Sequence, residues 1–135
     1  MSVDHDLHIQ TDKTPQEMLK AFFACLNMEP AIHESETYED GRVKYHVAGG
    51  GFDAYAIQRL DDETVNQHFF GFMPTVLIWF CLKEDEEFGV EIMQLLAQAA
   101  KQLAASTGYN MALFFNNGII PMFLYVNQEY QFDNT

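Results

Sequence analysis

The sequence predicts an α+β fold, with a single, mainly antiparallel sheet and two helices packed on one face, in the order β-α-β-β-β-β-α-β-β. Three observations support this class. Two segments, residues 14–27 and 84–107, carry apolar residues at helical spacing. Asp40-Gly41 and Asn116-Asn117-Gly118 are hairpin-turn signals between strand-like segments. Residues 75–82 are almost entirely apolar, as expected of a central strand. We expect residues 1–135 to form a single domain, because this length suffices to bury a core.

The N-terminal part predicts a strand followed by a capped helix. Residues 5–11 alternate, with Leu7 and Ile9 on one face. Thr14 and Glu17 are spaced as a capping box, and Pro15 suits the first helical position. Pro30 prevents the helix from continuing far past residue 27. The predicted apolar stripe of this helix comprises Met18, Leu19, Phe22, Phe23 and Leu26.

A hairpin is predicted next, with arms at residues 31–39 and 43–48. Its first arm is unusual, because strict alternation would place Ile32, Glu34, Glu36 and Tyr38 on one face. That face is too polar for a core. The pattern indicates an edge strand or a recognition surface, since edge strands commonly carry charge.

Three consecutive glycines, residues 49–51, separate this hairpin from a strand at residues 52–60. A phosphate-binding loop would require a following Lys-Ser/Thr pair and a helix, and the sequence supplies neither. We therefore interpret the glycines as a turn or bulge. Residues 61–70 are predicted to form a loop or short helical turn.

The C-terminal half predicts a central strand covered on both faces at residues 75–82, then a long helix with an acidic cap at Glu84 or Asp85, ending before Gly108. Two strands follow at residues 111–115 and 119–126, with Pro121 marking an edge or a kink. Residues 128–135 are predicted to be a polar tail, with Tyr130 and Phe132 as candidates for packing back onto the domain. The expected buried stripe of the long helix is Phe88, Ile92, Leu95, Leu96, Ala99 and Leu103, and the expected common core is Phe22, Phe23, Ile78, Phe80, Leu95 and Leu103.

The charge balance narrows the classes of partner. The chain has 20 Asp+Glu, seven Lys+Arg and a formal net charge of −13, yet 48% of its residues are hydrophobic. A folded, strongly negative protein repels nucleic acid and anionic membranes and attracts basic proteins. The sequence shows neither a signal peptide nor a transmembrane stretch, so we expect a cytoplasmic protein.

The sequence contains no catalytic or cofactor motif, and we expect neither enzymatic activity nor a cofactor. The five histidines, His5, His8, His33, His46 and His68, lack metal-ligand spacing. The acidic runs at residues 61–63 and 84–87 lack the alternation and glycine of a calcium loop. Cys25 and Cys81 lie among apolar residues and are predicted to be unpaired, buried and unreactive.

One feature is a candidate binding site. The predicted hairpin carries Glu34, Glu36, Glu39 and Asp40 close together in sequence. These carboxylates suit a basic partner protein. An exposed, solvated charged hairpin without a partner is the alternative, and the sequence does not decide between them.

Three blocks carry a resemblance to a known family: His5–Asp12, residues 70–76 with residues 80–83, and Leu113–Gly118. In these blocks the chain resembles the Sit-type immunity proteins of bacterial contact-dependent polymorphic toxin systems. It departs from them at Cys81, where that family tends to have a basic residue, and after Gly118, where no acidic residue follows.

The resemblance implies a small cytoplasmic antidote that binds and neutralises a cognate toxin and has no catalytic residues. The composition adds the expectation that this toxin is basic, with neither nucleic acid nor membrane as a partner. The alternative is a small-ligand-binding or regulatory α+β domain that uses its aromatic-rich sheet as a pocket.

Overall fold

The structure, a computed structural model, describes residues 4–59, 71–82, 86–115 and 120–135. The side chains of Asp4, Ile120 and residues 86–89 are outside this description. Four predictions therefore fall on residues outside this description. They are the loop or helical turn at residues 61–70, the acidic helix cap, the turn at residues 116–118 and the burial of Phe88.

The described residues form one antiparallel sheet and two helices, which confirms the predicted class and element order. The strands run in the spatial order β2-β3-β4-β5-β1-β6-β7-β8. The elements are β1 (Asp4–Gln10), α1 (Pro15–Cys25), β2 (His33–Thr37), β3 (Val43–Ala48), β4 (Phe52–Gln58), β5 (Val76–Leu82), α2 (Glu86–Thr107), β6 (Asn110–Phe115), β7 (Ile120–Val126) and β8 (Glu129–Asp133).

Residues 129–133 form the edge strand β8, so the prediction of a tail at residues 128–135 is wrong, whereas the expected packing of Tyr130 onto the domain is confirmed. The Tyr130 ring packs 4.9 Å from the Tyr125 ring, measured between centroids. Lys101 of α2 donates to Asp133 at 2.8 Å. These tertiary contacts hold a segment whose composition alone does not indicate a strand.

Helix α1 begins as predicted. The Thr14 hydroxyl accepts from the backbone N–H of Glu17 at 3.1 Å, and the Glu17 carboxylate accepts from the backbone N–H of Thr14 at 3.3 Å. The helix ends at Cys25, and Asn27 has a positive φ of 57°. Its stripe is buried as predicted at Met18, Leu19, Phe22 and Phe23.

Both helices pack on the same face of the sheet, termed here the helix-covered face. Phe22 of α1 contacts Phe80 of β5 with 4.9 Å between ring centroids. Leu103 of α2 belongs to the same buried cluster. The buried sheet residues of this cluster include Leu7, Ile9, Val47, Phe52, Ala54, Ala56, Val76, Ile78, Phe80, Met111, Leu113 and Phe123.

The expected burial of Leu95 is wrong, because its side chain is 54% exposed. The prediction is confirmed at Leu96, Ala99 and Leu103, which are buried together with Ala100 and Ala104. These positions repeat at three- and four-residue intervals, and Leu95 lies about 100° away from Leu96 around the helix axis. The sequence permitted both alignments, and contact with the sheet selected one.

The two faces of β5 are buried to different degrees by the described residues. Val76, Ile78 and Phe80 are buried under the helices, whereas Leu77, Trp79 and Cys81 are half-buried on the opposite side. Neither described helix packs on that side, termed here the helix-free face, but part of it is buried in a second hydrophobic cluster formed by Phe72, Ala112 and Phe114. Cys25 and Cys81 form no disulfide with each other, as predicted, but both are half-buried, which corrects their expected full burial.

The turn between β3 and β4 explains two of the three glycines. A Cβ on Gly51, whose φ is +95°, would lie 2.6 Å from Cδ1 of Ile92 in α2. A Cβ on Gly49 would lie 2.6 Å from the Phe52 ring. The glycines thus let the hairpin turn approach α2 and the core closely.

Candidate interaction surface

The acidic hairpin lies where the sequence placed it, at an edge of the sheet. Strand β2 is the first strand in the spatial order, and all five of its residues are exposed. Glu39 and Asp40, in the turn that follows, are exposed as well. The edge-strand prediction is therefore confirmed.

Glu34 and Glu36 do not share a face, contrary to the expectation from alternation. Glu34 pairs with Tyr45, and Glu36 pairs with Lys44, with a register shift between them. Because consecutive β3 residues point to opposite faces, the shift places Glu34 on the helix-covered side and Glu36 on the helix-free side. This bulge was not readable from the sequence.

The Asp40 carboxylate already accepts hydrogen bonds from Arg42 within the hairpin. It accepts from the backbone N–H of Arg42 at 3.0 Å and from Arg42 Nε at 2.8 Å. The hydrogen bond from the Arg42 backbone, assisted by the guanidinium, lowers the pKa of Asp40. Arg42 in turn donates to the carbonyl of Gln58 at 3.0 Å, which ties the hairpin turn to β4.

Glu36 is linked to the helix-free face. Its carboxylate lies 3.2 Å from Lys44 Nζ. The Lys44 ammonium is also 5.4 Å from the centroid of the Tyr55 ring, within cation–π range. Glu34 and Glu39 form no salt bridge within the described ranges. The four predicted site residues therefore have different environments.

Three aromatic rings, defined here as the ring row, cross the helix-free face on β3, β4 and β5. His46 stacks on Tyr55 with 4.7 Å between centroids and 23° between planes. Tyr55 stacks on Trp79 with 5.2 Å and 17°. Strand register brings the rings together, because His46 pairs with Tyr55 and Tyr55 with Trp79.

Sequence reasoning missed the ring row. The sequence shows only that His46, Tyr55 and Trp79 lie in segments predicted to be strands. The cross-strand register that aligns the three residues is set by tertiary structure.

An Asp53–His46 contact flanks the ring row. His46 Nε2 lies 3.0 Å from Asp53 Oδ1, and the two side chains are 29% and 28% exposed. The contact orients the imidazole against Tyr55. A half-exposed carboxylate thus lies beside the rings.

A second polar cluster on the same face joins β1 to the end of β4. An Arg59 guanidinium N–H donates to His8 Nδ1 at 2.6 Å. Burial, reinforced by the Arg59 charge, lowers the pKa of His8 to about 3. Burial lowers the pKa of Arg59, and Asp6 opposes that change. His8 is neutral at pH 7 and serves as an acceptor that positions Arg59.

The arrangement of the described residues does not favour a metal site or a small-ligand pocket. In the described segments, no group of three or more His, Cys, Asp or Glu residues is arranged to hold a metal ion. A surface hollow of about 460 Å³ is lined by Gln10, Gly108, Tyr109, Asn110, Asn127 and Gln128. Its Asn110 amide already donates to Gln10 and accepts from the Asn127 N–H, both at 2.8 Å. The hollow includes no residue of the ring row.

None of the described helices is long and apolar enough to cross a membrane. The fold and surface thus define an α+β protein with one helix-covered face, a row of half-buried rings on the opposite face and an acidic edge.

Comparison with known proteins identifies the family to which the chain belongs. The family described as SitI3-like matches residues 3–134, nearly the whole chain. The chain belongs to this family, which is of the Sit-type immunity class that the sequence resembles. No curated protein and no solved structure matches the chain.

Proposed function

We propose that the protein is an immunity protein that binds a cognate bacterial toxin and neutralises it in the cytoplasm. The observation that carries this proposal is the family match over residues 3–134. Membership in an immunity family favours a role in binding over catalysis. Protection by binding requires a complementary surface and no cofactor.

The acidic hairpin contributes to toxin recognition in this proposal. Glu34, Glu36, Glu39 and Asp40 are exposed at one edge of a protein with a net charge of −13. Such a field accelerates encounter with a basic toxin. Because Glu34 and Glu39 have no salt-bridge partner in the described ranges, their charge is available for this steering.

The function is tested by producing the toxin encoded beside this gene with and without the protein. We expect growth to be rescued and the two proteins to co-purify as a complex. Growth arrest despite full expression of the folded protein, with no complex formed, would contradict the proposal.

The role of the hairpin requires a charge-matched comparison. A Glu34→Lys/Glu39→Lys variant should associate more slowly than wild type at low salt. Asp12→Lys/Glu129→Lys changes the net charge equally at exposed positions outside the hairpin and should associate faster than the hairpin variant. The difference should shrink as salt rises, because exposed charges are screened beyond about 8 Å at physiological ionic strength. Equal rates for the two variants would place steering outside the hairpin.

A further inference from the structure

The helix-free face has the composition of an interface centre. Cores of protein interfaces are enriched in Trp and Tyr, with charged groups at the rim. Here Tyr55 and Trp79 are half-buried at the centre of the sheet, while Glu36, Lys44 and Asp53 surround them.

We infer that this face docks the toxin, with the ring row as the energetic centre and Glu36 and Asp53 accepting hydrogen bonds from cationic side chains of the toxin. The inference rests on the proposed function and assigns its contact surface.

The rings are already ordered in the free protein. Tyr55 is held between His46 and Trp79, with interplanar angles of 23° and 17°. Asp53 fixes His46 through the 3.0 Å contact. Side chains that are immobilised before binding lose little rotamer entropy when a partner arrives. The row is therefore suited to carry a large share of the binding energy.

Two carboxylates beside the row retain accepting capacity. Glu36 Oε2 contacts Lys44, and Asp53 Oδ1 contacts His46. Neither Glu36 Oε1 nor Asp53 Oδ2 has a hydrogen-bond partner among the described residues, and the two side chains are 52% and 28% exposed. An Arg or Lys of the toxin can donate to these oxygens, and such charge-assisted bonds are strong and directional.

Charge complementarity selects the occupant. A second copy of this chain would also carry a net charge of −13, so its approach is opposed by repulsion. A basic toxin domain offers the opposite sign and can engage the rings and the carboxylates together.

The bulge in β2 provides a matched pair of variants. Glu36→Lys reverses a charge on the helix-free side, and Glu34→Lys makes the same change two residues away on the other side. At physiological salt we expect Glu36→Lys to raise the Kd for the toxin at least about 30-fold, as at an interface hot spot. Glu34→Lys should change it by less than about threefold, because its contribution is screened steering. Equal effects of the two variants would overturn the assignment.

A measurement without substitution reports on the ring row directly. Trp79 is the chain's only tryptophan, so protein labelled with 5-fluorotryptophan has a single ¹⁹F resonance site. Addition of unlabelled toxin domain should shift this resonance in step with complex formation followed by gel filtration. An unshifted resonance in a fully formed complex would place the interface elsewhere.

The failure of this inference is distinguishable from failure of the proposed function. A toxin that binds wild type and both Lys variants equally, with an unshifted Trp79 resonance, overturns the docking face and leaves the immunity function standing. A toxin that does not bind wild type overturns both. Circular dichroism of each variant confirms that a lost affinity does not reflect unfolding.

Discussion

The two faces of the sheet differ in how deeply their aromatic side chains are buried. On the helix-covered face, Phe22 and Phe80 are fully buried, and their rings pack against each other. On the helix-free face, Tyr55 and Trp79 are half-buried and lie beside ion pairs. The strand β5 contributes to both, because its residues alternate between them. The comparison teaches that the larger buried cluster lies on the helix-covered face, whereas the helix-free face combines a smaller buried cluster around Phe72 and Phe114 with a row of half-buried rings.

The largest expected effect comes from removing a ring on the helix-covered face. Phe22→Ala should lower the free energy of unfolding by about 3–5 kcal/mol, as for other large-to-small core substitutions. Leu95→Ala, in a side chain that is 54% exposed, should change it by less than about 0.5 kcal/mol. Urea denaturation measures both. Equal costs would contradict the orientation of α2 that exposes Leu95.

The contact between the β3–β4 turn and α2 gives the next largest effect. Gly51→Ala should cost about 1–3 kcal/mol, because its Cβ would overlap Ile92 and its φ is +95°. Gly50→Ala is the control, since no atom lies within 4 Å of the added Cβ. Thermal unfolding distinguishes the two, and a Gly51→Ala protein as stable as the control would contradict the close approach.

The capping box at α1 should contribute less to the free energy of unfolding than either Phe22 or Gly51. Thr14→Ala removes the acceptor for the Glu17 N–H and should cost about 1 kcal/mol. Gln16→Ala, an exposed neighbour in the first turn, should stay within about 0.5 kcal/mol of wild type. A Thr14→Ala cost no larger than that of the Gln16 control, measured by urea denaturation, would show that packing alone fixes the start of α1.

The helix-free face also makes a pH-dependent contribution, for which only the direction is predicted. The pKa of His8 falls from 6.5 to about 3 on folding, so the unfolded chain binds a proton that the folded protein excludes. The stability tied to a neutral His8 is complete above pH 6.5 and is lost as the pH falls toward 3. His8→Asn should reduce the difference in urea midpoint between pH 7 and pH 5. An unchanged difference would show that His8 is not the responsible group.

Local sequence signals were sufficient for several elements. The Thr14-Pro15-Gln16-Glu17 cap, the α1 stripe and the edge character of β2 all appear as predicted. Capping and amphipathic spacing act between residues a few positions apart, so the sequence displays them directly. The candidate carboxylates were found in the same way, from their proximity in one hairpin.

Features that depend on contacts between distant segments could not be predicted from local sequence. Strand β8, the rotation of α2 that exposes Leu95 and the bulge that separates Glu34 from Glu36 each depend on contacts with distant segments. The ring row is the clearest example, because His46, Tyr55 and Trp79 meet only when three strands adopt one register.

The sequence by itself determined the α+β class, the order of the predicted elements, the strongly negative charge and the family. These follow from composition, periodicity and short motifs, which are local properties. Only the tertiary structure decided which face of β5 the described helices cover and which carboxylates lie beside the half-buried rings. The physical reason is that strand register and helix rotation are selected by packing between elements far apart in the chain, since an apolar stripe can satisfy its own periodicity in more than one alignment.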